Sequence, residues 1–136
     1  MPACVVCAIT SGSLEANVIL QNEHIICFLD HTPINAGHIL LCPRQHHADI
    51  TDLPDDLLTE LFLVAKRLAS TLERTLQCDG VSLLQNNGAF NDLGHFHLHL
   101  FPRVRRDGFA WVGGSNRVAN PDALARVRDV LRSAVG

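Results

Sequence analysis

Three histidines occupy alternate positions in Gly94-His95-Phe96-His97-Leu98-His99-Leu100-Phe101-Pro102. In an extended strand successive side chains point to opposite faces, so His95, His97 and His99 share one face and Phe96, Leu98 and Leu100 the other. Imidazole changes charge nearest physiological pH, and its neutral form can act as nucleophile, proton donor or metal ligand. One histidine on a surface means little, but three in register against an apolar face mark a site. A metal centre built from all three fits poorly, because the outer two lie about 13 Å apart at roughly 3.3 Å per residue. A second constellation, Cys4-x-x-Cys7, reads as free thiols or as metal ligands. Five cysteines in all is an odd number that suits a reducing compartment better than a secreted disulfide framework. Cys27 and Cys42 lie inside the apolar runs IICFL and ILLCP and read as small core residues.

The elements that must position these groups follow from hydropathy patterning. Strands are expected at Val18–Leu20, His24–Asp30, Gly37–Pro43, Val81–Gln85 and His95–Pro102, the first two joined by a tight turn at Gln21-Asn22-Glu23. Between the third and fourth strands, Leu57, Leu58, Leu61, Val64, Ala65, Leu68 and Leu72 recur at helical spacing and give one apolar face. Thr51 or Asp52 is the expected N-cap, with Asp55, Asp56 and Glu60 in the first turns and Asp79-Gly80 as the stop. A shorter helix from Ala123 to Val135 should turn Leu124, Val127, Val130 and Leu131 inward, to cover the sheet or a dimer surface. The expectation is an α+β fold: a mostly antiparallel five-stranded sheet, one long helix and a C-terminal helix.

At 136 residues the chain fits a single domain over 1–136, with a core of about 4–103 and a C-terminal extension over 104–136. Its 47% hydrophobic and 18% charged residues indicate a globular protein, and a net charge of −3 argues against binding nucleic acid or a membrane surface. No apolar run approaches the roughly 20 residues that span a bilayer. The N-terminus lacks a basic n-region and a long h-region, so a cytoplasmic location is expected.

His95-Phe-His-Leu-His-Leu-Phe101 resembles the H-φ-H-φ-H-φ-φ signature of the histidine triad (HIT) superfamily, where φ is apolar. Three further blocks extend the likeness in the family's order from residue 4 to about 103. Cys4-Val-Val-Cys7-Ala-Ile-Thr-Ser-Gly12 looks like the entry segment of bacterial zinc-type members. His24-Ile-Ile-Cys-Phe-Leu-Asp30 is similar to their nucleoside-side strand. Gly37-His-Ile-Leu-Leu-Cys-Pro43-Arg-Gln-His46 resembles their G-H-x-L-x-x-P-x-x-H segment.

The resemblance implies a nucleotide hydrolase or transferase acting at an α-phosphate. His97, the middle histidine, would attack phosphorus and carry the nucleotide, its other ring nitrogen oriented by a backbone carbonyl. His99 would donate to phosphate oxygens or the leaving group, and His95 would double as a ligand of structural Zn2+ with Cys4, Cys7 and His46. His47, one residue on, should face the other way. Asp30 corresponds to the ribose-binding acid. Phe28 would line the base pocket, although core packing explains it almost as well. Asn86 matches an asparagine near the phosphate, with a plain Asn-Gly turn as its alternative. In Asn91-Asp92-Leu93-Gly94-His95 the chain departs from the family, with Asn91 and Asp92 as candidate substrate contacts and Asp92 standing where a hydroxyl often meets phosphate. A carboxylate there would repel substrate unless it turned away. Arg103, Arg105 and Arg106 are read as a solvated surface rather than a polyphosphate site.

The implied substrates are purine nucleoside phosphoramidates, with dinucleoside polyphosphates as the alternative and no organic cofactor. The implied assembly is a homodimer. A non-catalytic nucleotide sensor has no need of the triad's nucleophile, and a redox or metal-handling protein built on Cys4 and Cys7 leaves the triad and Asp30 unexplained.

Overall fold

The computed structural model describes residues 3–114 and 117–136, so positions 115 and 116 of the C-terminal extension lie outside the described residues. The elements run α1 (Val5–Thr10), β1 (Val18–Gln21), β2 (Ile25–Leu29), β3 (Ile39–Pro43), α2 (Asp55–Leu76), β4 (Gly80–Leu84), β5 (Leu98–Arg103) and α3 (Pro121–Val135). The strands form one sheet in the order β1-β2-β3-β5-β4, with every pairing antiparallel. The α+β expectation holds, and the expected strand positions are met to within a few residues. At the β1–β2 turn the Asn22 side-chain oxygen accepts from the N–H groups of His24 and Ile25, at 2.8 and 2.9 Å.

The continuous apolar runs become β2 and β3 because the centre of the sheet is covered on both faces. On one face Ile25, Cys27, Ile39, Leu41, Phe96, Leu98 and Leu100 pack against Leu61, Val64, Ala65, Leu68 and Leu72 of α2. On the other, Ile26, Phe28, Leu40 and Cys42 pack with Val6 of α1 and, at the margin, Ile9 and Leu93. The helix α1 was not anticipated; six residues carry too little periodicity to announce themselves.

Three sequence expectations are corrected. The N-cap of α2 is neither Thr51 nor Asp52 but Pro54, which makes no side-chain capping bond. Proline disfavours a helical residue before it, so Leu53 is extended at ψ 132° and Ile50–Asp52 closes a separate 3₁₀ turn. The long helix ends at Leu76, with Gln77 left-handed at φ 51°, before Asp79-Gly80 is reached. In α3, capped by the Asn120 side chain, the four residues expected inward are between 55 and 67% exposed. The apolar stripe of α3 is real but is left largely exposed among the described residues.

Gly37, which delivers the chain into β3, has φ 99°, where side chains are disfavoured, and a Cβ there would overlap the end of the Leu76 side chain. The flexible leucine can yield, but the backbone strain cannot. Gly37→Ala should therefore lower the unfolding free energy by about 1–3 kcal/mol in urea denaturation. An unchanged midpoint would refute the strain.

Candidate active site

The triad enters its strand later than the spacing predicts. β5 begins at Leu98, and His95–His97 precede it, because their backbone groups are engaged elsewhere. The Phe96 N–H donates to the His47 carbonyl at 2.7 Å, and the His95 carbonyl is taken by the His97 ring at 2.8 Å. The alternation nevertheless survives: Phe96, Leu98 and Leu100 enter the core against α2, and His97 and His99 line a cavity on the opposite face.

Backbone partners identify which ring nitrogens carry hydrogen. A carbonyl can only accept, so the His97 Nδ1–H donates to the His95 carbonyl and a neutral ring keeps its lone pair at Nε2. The same logic makes His95 Nε2–H the donor to the Pro43 carbonyl at 2.8 Å, leaving Nδ1 bare. His38 reverses it. Its Nδ1 accepts from the Ile34 N–H at 3.0 Å, so its Nε2–H donates to His99 Nδ1 at 2.9 Å. His99 must then carry its proton on Nε2. Burial lowers the affinity of both rings for a second proton, and the positive charge that His97 and His38 can carry helps push His99 down to about 4. His99 is therefore a neutral N–H donor at pH 7. His38, only 2% exposed, is joined to the site through His99, and sequence reasoning assigned it no role. Its signal was the Gly37-His38 pair at the mouth of β3.

His97 and His99 line a cavity of about 420 Å³, a size usual for small-molecule sites. Phe28 and Leu40 form part of its apolar wall, and Asp30, His31 and Thr32 line its rim. Phe28 is 4% exposed in the second core and also lines the cavity wall. Asp30 Oδ1 accepts from the Thr32 N–H and hydroxyl at 2.9 and 3.1 Å, and Oδ2 lies 3.7 Å from His38 Nε2. Asp30, His38 and His99 are near enough to hold a cation. The proton on His38 Nε2 makes the cluster a hydrogen-bond relay instead.

The loop residues divide. Asp92 reaches the site, its Oδ1 3.3 Å from His97 Nε2, although its side chain is 80% exposed. Asn91 is committed to the loop: its Nδ2 donates to the Ala48 carbonyl at 2.7 Å, and its Oδ1 accepts from the Gly94 N–H at 3.1 Å. Asn86 is not among the residues lining the cavity; its carbonyl accepts from Gln85 Nε2 at 2.9 Å. Arg103 is more than solvated surface. It grips Asp107 through Nε at 2.6 Å and Nη2 at 3.2 Å, stacks over Phe109, and holds the Asp107 carboxyl well below the usual carboxylate range.

Below the triad, four donors converge. Cys4 Sγ lies 3.3 Å and Cys7 Sγ 3.7 Å from His95 Nδ1, while His46 Nδ1 lies 3.5 Å from Cys7 Sγ and 3.2 Å from His95 Nδ1. A tetrahedral ion with metal–sulfur bonds of about 2.3 Å and metal–nitrogen bonds of about 2.05 Å has edges of roughly 3.3–3.8 Å. The donor set fits that tetrahedron, and the bare His95 Nδ1 is the lone pair such an ion needs. Burial, then the neighbouring Cys4, pushes the Cys7 thiol up, an effect a cation would reverse. His46 supplies the imidazole; His47 gives its carbonyl to Phe96, and its Nε2 is buried without a partner among the described residues.

The His97 ring, the His99 N–H donor beside it and a cavity of small-ligand size form one site. The HIT domain model matches residues 11–106, and the chain belongs to that family. It is 31% identical over 131 residues to adenosine 5'-monophosphoramidase HNT1 of Saccharomyces cerevisiae, covering 95% of this chain and 80% of that protein. A HIT family protein from Bacillus subtilis superposes with a TM-score of 0.89 at 25% identity, covering 99% of both chains. A Zn-bound histidine triad family protein from Mycobacterium smegmatis superposes with a TM-score of 0.75 at 31% identity, covering 94% of this chain and 97% of its own.

His38 and His99 both take up a proton less readily than the ordinary value of 6.5 when folded. The unfolded chain thus binds more protons just below that value, so their contribution is full above about 6.5 and is lost as pH falls toward 4. Melting temperature should drop from pH 7.5 to pH 5, and His99→Asn should flatten the drop. Equal slopes in the two proteins would refute this assignment.

Proposed function

We propose that the chain hydrolyses purine nucleoside 5'-phosphoramidates through a nucleotide-bearing His97. The observation that carries the reading is the His97 ring, held through Nδ1–H by a backbone carbonyl with Nε2 directed at the cavity end. With the base against Phe28 and the ribose hydroxyls on Asp30, the α-phosphorus would meet His97 Nε2. The lone pair forms the N–P bond, and the P–N bond to the leaving amine breaks with its electron pair on the amine, which takes a proton from solvent water while the His99 Nε2–H donates a hydrogen bond to the phosphoryl oxygens. Water then attacks phosphorus, releasing its proton to solvent, and the bonding pair returns to His97. Two easier displacements replace one difficult one. His38 keeps His99 in the donor tautomer throughout. The similarity to a protein named as an adenosine 5'-monophosphoramidase supports this substrate class. Cys4, Cys7, His46 and His95 would hold a structural Zn2+, which when bound supplies cross-linking of the N-terminal segment to the triad rather than a reaction step. A homodimer is the proposed assembly, because β1 and β4 are open edges of the sheet and pairing two copies covers one.

Purified protein should turn over adenosine phosphoramidate faster than diadenosine polyphosphate when the two are assayed side by side. His97→Ala should abolish turnover and spare the fold, whereas His99→Ala should retain more activity, losing a donor usually worth about 10²–10³ in rate. Mass spectrometry of enzyme quenched in turnover should place a nucleotidyl adduct on His97; an adduct elsewhere refutes the mechanism. Metal analysis of untagged, reduced protein should find roughly one zinc per chain, and its removal should lower melting temperature. Zinc-free native protein would refute the metal assignment. A monomer by light scattering at micromolar concentration would refute the dimer.

A further inference from the structure

The charges around the cavity bear on which substrates can leave. Its lining carries three carboxylates, Glu15, Asp30 and Asp92, and among the described residues no lysine or arginine. Arg103 and Arg105 line a separate depression beside β4, and Arg103 is spent on Asp107. Asp30 is bound by Thr32 beside His38. Asp92 stands apart from Asp30, with Oδ1 3.3 Å from the atom that attacks phosphorus. Its loop is pinned by the Asn91 amide, while its own side chain is 80% exposed and, among the described residues, has His97 as its polar contact. The backbone at 92 is therefore held at the phosphoryl end, and the carboxylate can swing aside when phosphorus enters without leaving its vicinity.

We infer that Asp92 makes the site selective for the charge of the leaving group, favouring phosphoramidates whose amine component carries a further positive charge and disfavouring anionic leaving groups such as polyphosphates. The inference rests on the phosphoramidase reading and deepens it. An incoming phosphoramidate brings one negative charge past Asp92, whereas a polyphosphate brings several, with no guanidinium or ammonium in the lining to offset them. A cationic amine pairs with the carboxylate on arrival. As the P–N bond breaks, the amine nitrogen takes up a proton and grows more positive, which the same carboxylate would favour. A neutral hydroxyl at this position would favour neither sign.

The experiment compares wild type with Asp92→Asn and Asp92→Ser on three probes. These are adenosine 5'-phosphate amidated on the side-chain amine of lysine amide, its neutral n-butylamide, and diadenosine tetraphosphate. The butylamide calibrates any general effect on His97, so the ratios are what matter. The lysine-to-butyl ratio of kcat/KM should fall about three- to tenfold in both variants, as expected for losing one exposed charge pair a few ångströms apart. The tetraphosphate-to-butyl ratio should rise by a similar factor, and raising ionic strength should shrink both effects in wild type alone. Unchanged ratios, even with all three rates reduced, would overturn the inference and leave Asp92 a positioning group for His97. A wild-type enzyme inactive on both amidates would instead refute the phosphoramidase reading itself. Equal melting temperatures for wild type and variants would confirm that the comparison is between folded proteins.

Discussion

The chemistry of this site depends on where three backbone groups place hydrogen. The carbonyl of His95, the carbonyl of Pro43 and the amide of Ile34 each bind one imidazole nitrogen, at 2.8 to 3.0 Å, and so decide the state of the other. His97 is left with a lone pair toward the cavity, His95 with one toward the cysteines, and His38 with a proton for His99. Four chemically identical side chains thus present different hydrogen-bonding faces to their surroundings. Side-chain partners could titrate; main-chain partners do not, and two of these three, His95 and Ile34, lie outside the strands with groups to spare. That is why the rings sit at the entry of β5 and the mouth of β3, where the backbone is rigid but not wholly consumed by its own ladder.

The price of using main-chain groups this way is visible in the ladder itself. Three residues before Leu98 make no regular strand, and the Phe96 amide must find the His47 carbonyl to remain satisfied. The segment from Pro43 to His47 therefore serves the triad repeatedly. It offers a carbonyl to His95, a carbonyl to Phe96 and an imidazole to the four-donor cluster. Cys4 adds to the economy, since its sulfur both caps α1 by accepting from the Cys7 N–H at 3.4 Å and approaches His95. A short helix that could not stand alone is tied to the sheet through the groups that frame the site.

Much of this was legible in the residues. Continuous apolar runs announced β2 and β3, helical spacing announced the buried face of α2, and alternation announced which triad neighbours enter the core. The metal-type set and the cavity acid at Asp30 came through resemblance, and the geometry brings each set together. What could not be read has a common cause: it depends on contacts between distant positions. The proton on His99 is set by Ile34 through His38, and that of His95 by Pro43 across 52 residues. Asn91 looked available for substrate until its amide was found on Ala48. The stripe on α3 was legible as amphipathic, but periodicity says only that a face is apolar, not that the chain itself supplies the cover.

The rings continue beyond the site. His99 packs on His38, His38 on Phe101, Phe101 on Phe109, and Phe109 on Trp111, with successive centroids 5.0 to 5.3 Å apart. Trp111 is the sole tryptophan, the chain has no tyrosine, and the indole is 59% exposed in the segment after β5. Intrinsic emission from this protein therefore originates at the solvent end of that stack rather than in either core. A fluorescence-monitored transition would register release of residues 109–111 from Phe101, and loss of the sheet itself has to be followed by its backbone signal.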